Sequence, residues 1–457
     1  MANWLRFEIA LLTALTVAIS SRAAAGQEAF RPVGSLSCNS TACHGNEPLD
    51  IKVPRKTEEF SRWMYADPHQ NAARTLASEK YRDILVRTSN RDDNQADPKI
   101  LARCAKCHDP LSGTGDHSTV SEFGHGIGCE SCHGNAEKWL ARHYERDISR
   151  PELAELGMFD TKDLRTRGQQ CASCHVGSAD RDMDHDMIAA GHPPLRFELS
   201  AYHDLIPNKH WNDNRERLEK RDFQVQLWAA GQTAAATARM ELLAARSTPA
   251  KPNWPELAES NCFSCHATIR GQGQGTINRV GRPQWSPWNL TFVADNSSLT
   301  SLRELFRNDF APAQIQTAKL SKEAKQQLQE SLTSQEVTSR AALTMVTKSL
   351  DSNTADWESR CQQYLALTAV ERAERDELAK ARYYAVISDA EYNRRSAEQR
   401  ELIAGLAQVR TWLEFEPQSA KKVLLDEPLR FQEKRAEIGA ELRQITDRLH
   451  QQTQNRK

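Results

Sequence analysis

Apolar residues return at helical spacing in the last third of the chain. Leu402, Leu406, Val409 and Leu413 form one stripe, and Phe431, Ile438, Leu442, Ile445 and Leu449 form another. Pro417 and Pro428 bracket the connection between them. From Leu299 to Lys457 glycine is nearly absent (Gly405 and Gly439), and Glu, Lys, Arg, Gln and Ala dominate. The pattern predicts an antiparallel helical bundle or hairpin. Each stripe is a single apolar face, which favours packing on the rest of the chain over a second docking surface. Cys361 shares a stripe with Trp357 and Tyr364 and reads as an inert core thiol. Upstream, Asp222–Arg246 reads as one long helix with Gly231 its only interruption. Gln70–Val86 and Asn135–Tyr144 read as shorter helices. Residues 27–60 are loop-rich, 87–103 a polar linker and 145–170 a charged connector. The expected fold class is mainly α with little regular sheet.

The N-terminus carries a different signal. Arg6 precedes an apolar run from Phe7 to Ser20, followed by Ala23-Ala24-Ala25-Gly26. This reads as a secretory signal peptide over 1–25, cleaved near Ala25, which would place the mature chain in the periplasm or otherwise outside the cytoplasm. The other reading is an uncleaved anchor, but the run is short for a span and Glu8 lies at its start. No other segment is expected to cross a membrane.

Five sites carry the chemistry. Four are Cys-x-x-Cys-His: Cys104/Cys107/His108, Cys129/Cys132/His133, Cys171/Cys174/His175 and Cys262/Cys265/His266. The fifth is the wider Cys38-Asn-Ser-Thr-Ala-Cys43-His44. Cys-x-x-Cys-His is the attachment signature of c-type haem: two thiols add across the porphyrin vinyl groups and the adjacent His ligates the iron. A lone Cys-x-x-Cys fits a zinc knuckle or a redox dithiol equally well. Repetition with His always next favours five covalent haems; at Cys38 and Cys43 a disulfide is the competing reading. Ten of the eleven cysteines are used in this way, leaving Cys361.

Composition agrees. Only 39% of residues are hydrophobic and 7% aromatic, and flat apolar porphyrins would make up the deficit. The formal net charge of −1 gives no basic excess for nucleic acid. Gly271-Gln-Gly-Gln-Gly275 lacks a following Gly-Lys-Ser/Thr, so phosphate binding is set aside.

Eight further histidines lie among these sites as possible second axial ligands. His69 follows a proline beside Trp63; His143 lies ten residues beyond His133; His192 sits between Gly191 and Pro193, where the backbone is restricted. His210 precedes Trp211, and His125 lies in a glycine-rich loop. His69, His143, His192, His210 and His125 are the preferred candidates; His117 and His203 rank lower. His185, between Asp184 and Asp186, is balanced between ligand and solvated surface residue. With two histidines on every iron, the protein moves electrons between redox partner proteins. With one iron left five-coordinate, it could instead act on a small nitrogen or sulfur oxyanion, or serve as a haem-bearing subunit of a redox complex.

Cys104-Ala-Lys-Cys107-His108-Asp109-Pro110, Gly128-Cys129-Glu-Ser-Cys132-His133-Gly134 and Cys171-Ala-Ser-Cys174-His175, with Trp63 and His69, resemble the multihaem cytochrome c-554/c-prime family. The resemblance covers about residues 35–270. It implies an exported, mostly helical electron carrier with closely paired haems, related in haem arrangement to hydroxylamine oxidoreductase and pentahaem nitrite reductase. The nitrite reductases mark their catalytic haem with Cys-x-x-Cys-Lys, which this chain lacks. The chain departs from the family in having five motifs rather than four, a wide first motif and a helical tail. The expected organisation is a pentahaem domain over 27–298 and a C-terminal α-helical domain over 299–457.

Overall fold

The computed structural model describes residues 30–47, 57–89, 97–111, 126–206, 210, 214–249, 251, 253–269, 283–293, 296–331, 336–351, 356–415 and 427–454. The signal stretch, His117, His125, Gly271–Gly275 and Pro417 lie outside the described residues. The fold is mainly α, as expected. Among the described residues there is no strand, only the isolated bridges Ser178–Arg181 and Ser260–Trp285. No described helix is long and apolar enough to cross a membrane.

The helices that matter below are α1 (Glu59–Ala66), α2 (Glu79–Ser89), α3 (Pro98–His108), α4 (Cys129–His133), α5 (Leu164–His175), α6 (His185–Ala190), α7 (Leu199–Leu205), α8 (Phe223–Arg246), α9 (Cys262–Ile269), α10 (Ser297–Asn308), α11 (Gln314–Ser331), α12 (Ser339–Asp351), α13 (Trp357–Tyr383), α14 (Asp389–Leu413) and α15 (Arg435–Gln454). The chain divides into two compact units. One holds residues up to Tyr81, Pro98–Arg167 and Pro207–Trp211; the other holds Arg82–Asp97, Gly168–Ile206 and Asn212–Lys457.

Several local expectations are corrected. The helix expected over Gln70–Val86 is broken: Pro68–Asn71 is a 3-10 turn, Ala72–Thr75 a single α turn, and α2 starts only at Glu79. Ser78 causes the break, since its hydroxyl donates to Thr75 O at 2.7 Å and accepts from Tyr81 N at 3.2 Å. Asn135–Tyr144 is a run of turns after Gly134 rather than a helix. The polar linker contains the start of α3, with Pro98 at its first position. The charged connector contains a short helix, Arg150–Glu155, started by a full Ser149/Glu152 capping box.

In the second unit the long α8 is buried along most of its length and packs against α7, α11 and α13. Gly231 allows its close approach to α7: an added Cβ would lie 2.4 Å from Leu199 Cβ. The two apolar stripes of the tail are buried as their spacing predicts. Leu402, Leu406, Val409 and Leu413 on α14 share one core with Ile438, Leu442, Ile445 and Leu449 on α15. That core also takes in Phe263, Trp288, Trp357 and Cys361, where burial pushes the Cys361 thiol well up.

Candidate haem sites

In the first unit the third motif is a helix of one turn, α4, between Gly128 and Gly134. Gly134 has φ +85°, and a Cβ there would strike the Gly157 carbonyl oxygen at 2.1 Å. Glu130, one of the two residues between the cysteines, is 2% exposed. Its carboxylate accepts from Val33 N at 2.9 Å, Gly34 N at 2.7 Å and Ala136 N at 2.7 Å. Ser35 Oγ accepts from Cys129 N at 3.0 Å. The segment entering the first motif is thus bolted to the third. The Cys38 and Cys129 thiols are hydrogen-bonded to each other, which pushes Cys38 up and Cys129 down.

Four imidazoles gather beside these thiols. His44 and His143 have ring centres 6.1 Å apart and planes 18° from parallel. The Nδ1 of His44 is held by Glu59 Oε2 at 2.9 Å, and that bond raises the imidazole pKa. The Nδ1 of His143 donates to Leu140 O at 2.8 Å. Nδ1 being engaged on both, Nε2 is the atom that could bind a metal. His133 and His210 have ring centres 6.5 Å apart at 67°. Burial, then the neighbouring His210, His44 and His143, push His133 down to about 4. His210 is also pushed down by burial, and its Nδ1 lies 3.8 Å from Asp67 Oδ2. Asp67 accepts from the Nδ1 and the backbone N of His69, at 2.8 and 3.0 Å. Burial opposes ionisation there, but these bonds hold the carboxyl below its ordinary value.

The second motif ends α3. His108 Nδ1 meets Ala72 O at 3.3 Å and Thr75 Oγ1 at 3.0 Å, and burial lowers its pKa. Burial, with the Cys104 thiol alongside, pushes the Tyr81 phenol up to about 12.

In the second unit the fourth motif closes α5. Gly168 lets that helix reach α8, where an added Cβ would sit 3.0 Å from Ala234 Cβ. His175 stacks on Phe197 (5.5 Å, 16°) and meets the edge of Tyr202 (5.0 Å, 73°). The fifth motif opens α9, and His266 pairs with His185 at 6.3 Å and 15°. His185 starts α6: Asp184 caps the helix through Met187 N (3.0 Å), and His185 N donates to Glu256 Oε1 (2.9 Å). His192 is held differently, its Nδ1 2.8 Å from Pro193 O.

Two imidazoles bonded to opposite sides of one metal at about 2.0–2.1 Å have ring centres roughly 6.3 Å apart. The three pairs, at 6.1, 6.5 and 6.3 Å, have that separation, and each joins a motif histidine to one from elsewhere in the chain. None of the eleven cysteines is in a disulfide, Cys38 and Cys43 included. Among the described residues no group of three or more His, Cys, Asp or Glu side chains forms a metal cluster of the zinc type. Each pair brings two imidazoles close enough to hold one iron, and each motif histidine adjoins its two cysteines in sequence, a donor set that fits haem c. Of the preferred second ligands, His143 and His210 lie beside motif histidines and His69 is bonded to Asp67. His185 takes the place beside His266.

Residues 35–134 match the family model for cytochrome c554 and c-prime. No curated protein and no solved structure matches the chain.

Proposed function

We propose, from the match of residues 35–134 to the family model for cytochrome c554 and c-prime, that the chain is an exported haem c electron-transfer protein, a pentahaem cytochrome whose irons are held mostly between two histidines. The observation that carries the reading is the set of three imidazole pairs at 6.1–6.5 Å. Haem c supplies a one-electron couple whose potential follows its axial ligands and surroundings. The chain's own residues do the rest. Glu59 and the Leu140 carbonyl fix the tautomers and orientations of His44 and His143. Asp67 orients His69 through a 2.8 Å hydrogen bond and places its charge 3.8 Å from His210 Nδ1. Glu130 and Ser35 hold the first and third attachment sites side by side, which suits passage of an electron from one to the next. A haem held by two such imidazoles would pass electrons rather than bind a substrate at its iron. The remaining attachment motifs, His108 and His175, complete the proposed count of five.

The test is haem counted by pyridine haemochrome, with low-temperature EPR of the oxidised protein. Five haems per chain with predominantly low-spin signals support the reading. High-spin signals amounting to three or more haems per chain would refute it.

A further inference from the structure

The C-terminal helices supply part of the fifth attachment site. Phe263, inside the Cys262–His266 motif, meets the edge of Trp357 at 5.7 Å and 88°, and Phe415 at 6.3 Å. Trp357 stacks near Trp288 at 6.0 Å and is fixed by its indole N–H, which donates to Leu413 O at 2.8 Å. Into this aromatic group comes Arg196. Its guanidinium carbon lies 4.8 Å from the Trp357 ring centre, 5.6 Å from Phe263 and 6.0 Å from Trp288. One Arg196 nitrogen is 3.9 Å from the Cys262 sulfur and 3.5 Å from Glu358 Oε1. Glu358, the second residue of α13, also accepts from Ser286 Oγ at 2.6 Å and is 4% exposed at the side chain. A cavity of about 80 Å³ opens here, lined by Arg196, Arg239, Glu259, Cys262, Trp288 and Glu358.

We propose that Arg196, positioned by Glu358 and the Trp357, Trp288 and Phe263 rings, sets the reduction potential of the haem at Cys262–His266, so that the helical tail is a wall and tuning element of that site. The inference rests on the reading that this motif carries a haem. A fixed positive charge beside the sulfur, in surroundings drier than water, favours the form holding the extra electron. The Glu358 carboxylate, 3.5 Å from the same guanidinium nitrogen, opposes it. The couple is a single electron gained by ferric iron to give ferrous iron, supplied in the experiment by an electrode through a soluble mediator.

The experiment is a spectroelectrochemical titration of the full-length haem-loaded protein and its Arg196→Gln, Arg196→Lys and Glu358→Gln variants. Mass spectrometry of the Cys262–Cys265 peptide records whether it carries a haem. Arg196→Gln is expected to lower one haem's potential by a tenfold change in its reduction equilibrium, about 59 mV for one electron. Glu358→Gln is expected to raise the same haem, Arg196→Lys to leave it near its original value, and the other haems to stay in place. Shifts of the same sign in Arg196→Gln and Glu358→Gln, or no shift in either, would overturn the proposal, because a loosened pocket has no reason to follow the sign of the charge. If Arg196→Gln does not accumulate, Glu358→Gln and Arg196→Lys decide by the same criteria. A haem-free Cys262–Cys265 peptide in the unaltered protein would instead overturn the attachment reading at this motif, and the tuning proposal with it.

Discussion

Replacing Glu130 with Gln removes one charge and changes one atom, yet it should weaken the joint between the first and third attachment sites. Oε1 accepts from Val33 N and Ala136 N, and Oε2 accepts from Gly34 N. A glutamine can keep its oxygen in the Oε1 position and satisfy the first two. Its NH2 then faces the Gly34 N–H, donor against donor, in a site 2% exposed. Leaving a buried donor unmet costs about 1–3 kcal/mol, and the two retained bonds lose the extra strength of a charged acceptor. A total loss of about 2–4 kcal/mol follows. The assay is guanidinium denaturation of the haem-loaded protein, with hydrogen exchange at Val33, Gly34 and Ala136 read in parallel. Faster exchange at these three amides should accompany the lost stability. An unfolding free energy unchanged within about 0.5 kcal/mol, with protection intact at Gly34, would refute the clamp.

Three further outcomes are expected. Gly231→Ala gains about 0.8–1 kcal/mol of helix propensity but forces its Cβ to within 2.4 Å of Leu199 Cβ, so chemical denaturation should show a net loss of about 1–2 kcal/mol. Glu259→Ala removes the carboxylate shared by Arg239 Nε (3.2 Å) and Arg246 Nη1 (2.7 Å), leaving the buried Arg239 to the Ser286 and residue-259 carbonyls while Arg246 keeps Asp182 (2.8 Å); a loss of about 3 kcal/mol should appear in the same assay. Burial raises the Glu198 carboxyl from 4.5 to about 7, so the folded chain binds this proton more tightly than the unfolded one. Its contribution is complete below pH 4.5 and is lost as pH rises towards 7, by at most about 3 kcal/mol, and Glu198→Gln should flatten that slope in a pH series of denaturation curves.

What could be read from the chain and what could not divides by distance along it. The candidate attachment motifs are legible because the chemistry proposed for them is contained in five to seven consecutive residues. The stripes on α14 and α15 were legible because period 3.6 is a local signal. The imidazole pairs depend on contacts across many residues: Asp184–Asp186 reads as much like solvated charge as a ligand setting, and only the fold shows Asp184 capping α6, Glu256 receiving the His185 amide and His185 beside His266. Glu130 carried no signal at all, since a residue between two haem cysteines reads as a filler. Two further features have a local signature. Ser149-x-x-Glu152 is a capping box inside what reads as a connector, and Ser78 interrupts an otherwise helical stretch through its own hydroxyl. Arg196 sits 162 residues from Glu358 in sequence, and nothing local ties either one to Cys262.

We propose the assignment of His143, His210 and His185 as second axial ligands at the first, third and fifth attachment sites. It is tested most directly by EPR of the oxidised His143→Ala, His210→Ala and His185→Ala variants, with His450→Ala as control. Each of the first three should convert one low-spin haem per chain to high-spin, with the attached haem count unchanged and the control spectrum matching that of the unaltered protein. Low-spin spectra that survive all three substitutions unaltered would contradict the assignment.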